Sequence, residues 1–321
     1  MKVGDLDILQ VLDGEWITPA APGLPPMTAE ERAEHGDYLL ADGRMKAALG
    51  AFVVRTGRQV VLIDAGLGPA ADACTQGGCG HIEHQQPQLE AQPSAEFEAF
   101  FREKGASEAQ IAWYAQMLSQ QRLVHGWLPG NLARLGVRPD EITDVVLSHL
   151  HPDHMGWVAR DGAPFFPNAR LWAHQADVDL FLGEHSPDET TFQVLLGVRS
   201  TKERMRPVHD QLRTWDRDCS VAPGVDLRWL PGHTPGSSIT VVSSGDERAM
   251  ILGDVIHCPL ELVDDEFAIM ADIDPKMAKA SKAVVREEIE GTAVHVSSSH
   301  FPGLEFGRLL RGEGKRYWAW R

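Results

Sequence analysis

The chain has 321 residues, 43% of them hydrophobic, enough to build a sizeable core in one large domain or two modest ones. Its formal net charge of −16 is unfavourable to polyanions and no basic patch offsets it, so nucleic acid is not expected as a partner and a small-molecule substrate fits better. No run of about 18 apolar residues is present, and the opening MKVGDLDILQVLDG lacks the basic, apolar and small-residue segments of a secretory signal, so a cytoplasmic protein with no membrane partner is expected.

Residues 3–13 read as a first strand, with Gly14 beginning a turn. Residues 15–45 hold several prolines and no sustained apolar period, which suggests an irregular N-terminal arm. Two strands follow within 47–63, joined at Gly57-Arg58. The second closes on Asp64 in LIDAGLG, where a carboxylate can support metal-ligand groups, although Asp is also an ordinary turn residue.

Residues 69–130 read as a partly helical insertion. Cys74, Cys79, His81 and His84 crowd together, but the C-x4-C spacing is loose for zinc, and a polar loop is the plainer reading. PSAEFEAFFREKG and SEAQIAWYAQMLSQQRLVHGWLPG read as helices, with Phe97, Phe100 and Phe101 as a packing stripe. Such an insertion can form a lid or pocket wall. Trp113, Tyr114, His125 and Trp127 are its candidate pocket residues, and helix packing is the alternative for each.

Asn131 to Val137 reads as a short helix, and Asp144 to Leu147 as a buried strand. That strand runs into SHLHPDH, residues 148–154, where three imidazoles and a carboxylate crowd into six residues. On extended backbone His149 and His151 point to one face and Leu150 to the other. Pro152 forces a turn, so the adjacent Asp153 and His154 do not easily join the same set. Two neighbouring metal ions, one per pair, resolve the conflict. Trp157 follows and is positioned to wall the site.

A strand and helix start are expected across 169–177, mainly helix over 178–215, and a strand over 224–232 that ends at His233 in a tight Pro/Gly loop. Strands 237–245 and 249–257 lead to Asp254 and His257, a helix covers 275–290, and a last strand places His300 at its tip before a short mixed tail. Four separate strand ends thus offer metal-ligand side chains, a common construction for active sites.

The ordered set LIDAGLG, HLHPDH, GHTPGSS, GD at Asp254 and SSH at His300 resembles the metallo-β-lactamase superfamily over about residues 47–303. The resemblance implies an α+β protein, an αββα sandwich of two mixed sheets flanked by helices, here a single domain over 1–321. It implies one metal held by His149, His151 and His233, a second by Asp153, His154 and His300, and Asp254 with a hydroxide bridging them. Asp64 would support the ligands from behind, and Asp153 would also move a proton. The cofactor would be two divalent ions, zinc first, with manganese, cobalt or iron accepted by the same donors.

Within the superfamily the chain is most similar to the lactonase and organophosphate-hydrolase branch. Quorum-quenching lactonases of that branch usually carry Tyr three residues after the bridging Asp; His257 stands there, and GDVIH is closer to the organophosphate-hydrolase and arylesterase side. The implied activity is hydrolysis of an ester, lactone or phosphotriester, with Asp153 and His257 as catalytic residues. Alternatives are a glyoxalase II-like thioesterase, a mononuclear iron persulfide dioxygenase, or a catalytically weak ligand sensor. A homodimer is an expected assembly, since the arm and insertion supply apolar surface.

Overall fold

The computed structural model describes residues 1–19, 35–41, 43–69, 122–184, 200–267 and 271–321, together with residues 30, 98–99, 102, 107–109, 111–112, 115, 186 and 269. Trp113, Tyr114, the Phe97/Phe100/Phe101 stripe and the Cys74/Cys79/His81/His84 segment lie outside the described residues. Among the described residues, no helix is long and apolar enough to cross a membrane.

The first sheet is built from β1 (Lys2–Val3), β2 (Leu6–Pro19), β3 (Arg44–Thr56), β4 (Gln59–Ile63), β5 (Arg122–His125), β6 (Asp144–Val146), β9 (Arg170–His174) and β10 (Leu212–Trp215). Its order is β1-β2-β3-β4-β6-β9-β10, with β5 also paired to β2. A small hairpin, β7 (Ala159–Arg160) and β8 (Ala163–Pro164), stands apart. The second sheet runs in sequence order through β11 (Cys219–Ala222), β12 (Val225–Trp229), β13 (Ser238–Ser244), β14 (Glu247–Ile251), β15 (His295–Ser297), β16 (Gly307–Gly312) and β17 (Lys315–Trp320). The helices are α1 (Leu128–Arg134), α2 (Gln175–Phe181), α3 (Thr201–Met205), α4 (Leu260–Val263) and α5 (Pro275–Ile289).

The two-residue period of the strands sorts these elements into layers. Val61, Ile63 and Val146 face the second sheet and pack with Val225, Leu227, Val242 and Ile251. Their neighbours Leu62, Val145 and Leu147 face the other way, against Leu128 and Leu132 of α1 and Phe181 of α2. On the far side of the second sheet, Ile239, Val241 and Met250 meet Val285 and Ile289 of α5. Strands covered on both faces read as continuous apolar runs, as QVVLI and DVVL do. The result is the αββα sandwich of two mixed sheets expected from the motifs.

Several boundaries differ from the sequence reading. The first strand does not stop at Gly14 but continues to Pro19, paired with β3 through a register shift between Leu12 and Gly14. Gly14 is required there by close approach, because a Cβ would lie 2.0 Å from the Val124 carbonyl oxygen of β5. The irregular N-terminal arm therefore loses both its ends to β2 and β3, and β5 takes the end of the supposed insertion into the sheet. The short helix begins at Leu128 rather than Asn131, with Pro129 in its first turn. The mainly helical reading of 178–215 fails at Leu212–Trp215, which pairs in parallel with β9. The mixed tail is a regular hairpin, β16–β17.

Candidate metal centre

Strand direction brings the ligand-bearing ends to one edge. In the first sheet β4 and β6 are parallel, so the turn at Asp64 and the loop 148–154 leave side by side. In the second sheet β14 and β15 are parallel, and β12 is antiparallel to β13, which is antiparallel to β14. β12, β14 and β15 thus run the same way and deliver His233, Asp254 and His300 beyond their C-terminal ends. The sheets are joined at this edge by Ser238, whose backbone N–H and hydroxyl donate to the Ser148 carbonyl at 3.0 and 2.9 Å. Gly253, at φ +50°, permits the approach, since a Cβ on it would lie 2.6 Å from Ser148 Cβ.

Two donor sets result. His149, His151, His233 and Asp254 form one, and Asp153, His154 and His300 the other; within each set the ligand atoms lie within 4.8 Å of one another, and all seven residues are buried. Asp254 addresses both. Its Oδ1 is 3.2 Å from His154 Nε2 and 3.2 Å from His300 Nε2, whereas its Oδ2 is 3.4 Å from His233 Nε2 and 3.8 Å from His149 Nε2. Asp153 Oδ2 is 3.4 Å from His300 Nε2 and 3.8 Å from His154 Nε2.

Behind this layer, each of several imidazoles commits Nδ1 to a fixed partner and turns Nε2 inward. His154 Nδ1 is 2.9 Å from Asp64 Oδ2, His149 Nδ1 3.2 Å from Ser148 Oγ, His233 Nδ1 3.2 Å from Asp272 Oδ1 and His300 Nδ1 2.9 Å from the Ala48 carbonyl. A carbonyl or carboxylate can only accept, so Nδ1 of His154, His233 and His300 carries the proton and Nε2 is left as the ligand atom. Asp64 holds more than one element: it also accepts from Ser148 N (2.8 Å), Ser148 Oγ (3.0 Å) and Ser299 Oγ (2.6 Å), at a backbone φ of 59° that Asp tolerates better than most residues.

The donor chemistry fits a pair of cations. His149 Nε2 is buried without a hydrogen-bond partner among the described residues, and Asp254 Oδ1, although 3.2 Å from two imidazole nitrogens, has none at hydrogen-bonding geometry. His151 Nδ1 and His233 Nε2 face each other at 2.9 Å, and the Nε2 atoms of His154 and His300 at 3.2 Å, pairs that either share one N–H proton or turn both lone pairs to a cation between them. The titration tendencies say the same. Burial drives His149 and His151 well below the usual imidazole range. Against burial, Asp254, Asp64 and Asp153 hold His154 well above it, and Asp254 with Asp153 raises His300. Burial opposes ionisation of Asp254, but His154, His300, His257 and His149 hold it well below the carboxylate range. The centre attracts positive charge, and seven nitrogen and oxygen donors are the type that accept zinc or its neighbours.

His257, the remaining sequence candidate, sits three residues beyond Asp254 with Nε2 3.1 Å from Asp254 Oδ2. Its Nδ1 lies 3.2 Å from Glu261 Oε2, and its ring stacks parallel to that of His300 at 6.0 Å between centroids. Burial works against its charge, yet Asp254 and Glu261 push it up to about 10. Trp157 does not wall the centre: it is buried in the core on the helix side of the first sheet and donates Nε1–H to Asp13 at 2.7 Å. His125 is buried with Nδ1 2.8 Å from the Gly68 carbonyl, and Trp127 donates its backbone N–H to the Asp13 carbonyl.

Sequence reasoning missed Asp177, whose carboxylate accepts from Leu150 N (3.0 Å), Gly236 N (2.6 Å) and Thr234 Oγ1 (2.9 Å), tying the 148–154 loop to the His233 loop. It also missed Glu261 and Asp272. Asp177 opens an unremarkable helix and Glu261 an exposed-looking acidic stretch, so no spacing marks them in the sequence.

The sequence matches the metallo-beta-lactamase superfamily over residues 51–300, and the chain belongs to that family. Among curated relatives, the N-acyl homoserine lactonase AiiA of Bacillus thuringiensis subsp. kurstaki is 27% identical over 161 residues, 49% of this chain and 56% of that protein. The lactonase AiiB of Agrobacterium fabrum is 34% identical over 115 residues, 34% of this chain and 38% of that protein. The chain spans about half the length of the AiiA-type relatives it matches. Among solved structures, AidC, a dizinc quorum-quenching lactonase, superposes with a TM-score of 0.71 at 22% identity, covering 99% of this chain and 95% of that one. The hydrolase AbOPH gives a TM-score of 0.71 at 21% identity, with the same coverage. These likenesses establish the fold.

Proposed function

We propose that the chain is a dinuclear metal-dependent hydrolase of small-molecule esters, lactones or phosphotriesters. The observation that carries this reading is Asp254, whose two carboxylate oxygens face different histidine sets. His149, His151 and His233 would hold one ion, Asp153, His154 and His300 the other, and Asp254 would span both. Two bound divalent ions supply an acidified water and a Lewis acid for a carbonyl or phosphoryl oxygen. The chain's own residues do the rest. Asp153, buried beside His300, would also take up a proton. His257 keeps Nδ1–H on Glu261 and presents Nε2 beside Asp254, where it can donate to a developing oxyanion or leaving group.

The curated relatives are lactonases and one structural neighbour is a dizinc lactonase, which favours a lactone among the candidate substrates. A mononuclear iron oxygenase or ligand sensor has less support, because a single ion would leave one of the two complete donor sets without a cation. The test is turnover by the metal-loaded protein on a lactone, an aryl ester, a phosphotriester and a thioester. Hydrolysis of at least one oxygen ester is expected. A protein that carries two metals and turns over none of the four contradicts the reading and favours a sensor.

A further inference from the structure

One buried cation lies just behind the centre. Lys282, on the inward face of α5, is 3% exposed and donates to Glu261 Oε1 at 2.6 Å and to Asp272 Oδ2 at 2.8 Å. Each of those carboxylates uses its other oxygen on a histidine of the site. Glu261 Oε2 accepts from His257 N at 2.6 Å and lies 3.2 Å from His257 Nδ1, and Asp272 Oδ1 lies 3.2 Å from His233 Nδ1. A continuous chain therefore runs from Asp254 through His257, Glu261, Lys282 and Asp272 to His233, and returns to Asp254 by the 3.4 Å contact with His233 Nε2. His233, His257 and Asp272 cluster closely enough to suggest a third cation site, but the cation already there is the lysine ammonium.

The backbone builds this arrangement deliberately. Ile273 N–H donates to the His233 carbonyl and Asp274 N–H to the Gly232 carbonyl, so the segment entering α5 is laid along the His233 loop and Asp272 arrives beside that imidazole. Asp274 then caps the helix by accepting from Met277 N, and Pro275 starts it, which fixes the rotation that turns Lys282 inward. Ser281 donates to the Pro231 carbonyl from the same face, and Arg286 to the Glu261 carbonyl one turn on.

We propose that Lys282 is a positioning residue for both halves of the site: its ammonium fixes Glu261 and Asp272, and through them the orientations of His257 and His233. It acts on the metal side through Asp272 and on the substrate side through Glu261. The inference rests on the two-metal reading of the centre. Its chemical basis is that two buried carboxylates do not share one small volume without a cation between them, and the ammonium between Glu261 and Asp272 is that cation. Losing the ammonium would free both carboxylates to turn away, and with them the partners that hold Nδ1 of His257 and His233 in place.

The experiment is a zinc titration of the metal-free full chain against a chromogenic competing chelator, with kcat and KM measured on whichever ester the wild type hydrolyses. Lys282→Met is expected to raise the zinc concentration at half-saturation about ten- to hundred-fold, the range typical of lost partners behind metal ligands. At saturating zinc it is also expected to lower kcat more than it changes KM. Lys282→Arg, which keeps the charge and can still bridge, is expected to restore most of both. Asp272→Asn and Glu261→Gln separate the two arms: the first weakens zinc binding, the second lowers kcat with zinc binding near wild type. Zinc affinity and kcat both within twofold of wild type in Lys282→Met would overturn the proposal. If that variant does not fold, identical effects of Asp272→Asn and Glu261→Gln on the two readouts would overturn it. The zinc arm reads His233 without any turnover, so a wild type that hydrolyses nothing counts against the hydrolase reading and leaves this one to be decided by the titration.

Discussion

Asp254 and His257 show how much depends on which way a side chain's two ends face. A carboxylate whose oxygens serve different nitrogen sets is suited to spanning two cations, and an imidazole whose Nδ1 is held by Glu261 has only Nε2 to offer. His257→Gln is expected to leave metal content unchanged and to lower kcat by about two to four powers of ten, the usual contribution of a positioned acid or base. A kcat within threefold of wild type would remove His257 from the chemistry. The motif residues were legible in the sequence because their spacing is informative: four ligand-type side chains within 149–154 have no packing rationale. Asp177, Glu261, Asp272 and Lys282 were not, because isolated charges on or beside helices ordinarily face solvent, and only tertiary packing turns these inward.

Elements matter here chiefly through their ends. The HxHxDH loop is held from three sides: by Asp64 on the neighbouring strand end, by Ser238 on the opposite sheet and by Asp177 at the start of α2. Asp177 resists burial, which pushes it up to about 6, while its three donors pull it back. Removing it strands two backbone N–H groups inside the protein, at roughly 1–3 kcal/mol each. Asp177→Ala is therefore expected to destabilise the metal-free protein by about 3 kcal/mol, read from the midpoint and slope of urea unfolding. A loss below about 1 kcal/mol would show that the two ligand loops hold together without it. At this scale the sequence reading succeeded for β3, β4 and β12–β15, where apolar runs end in marked turns, and failed where a local rule was overridden. Gly14 looks like a turn but sits at a bulge inside a 14-residue strand, which directs Asp13 inward to Leu67 N, Gly68 N and Leu128 N. LRTW has no alternation of its own and becomes a strand only because β9 offers a parallel edge.

For the whole molecule, the sandwich is what makes a two-metal centre possible from ligands 151 residues apart, from His149 to His300. Each sheet alone presents an incomplete set: the first brings His149, His151, Asp153 and His154, and the second His233, Asp254 and His300. The inner layer of valines, leucines and isoleucines that joins the sheets therefore also assembles the donors, and the family resemblance recovered this layering because the ordered motifs mark the strand ends. The most direct measurement is metal content per chain, by mass spectrometry of the zinc-loaded protein and by elemental analysis, for the wild type and Asp254→Asn. Two ions per chain in the wild type, and fewer than two with loss of hydrolysis in Asp254→Asn, is the expected result. A wild type that saturates at one ion, or an Asp254→Asn protein that keeps two ions and full activity, would contradict the bridged centre.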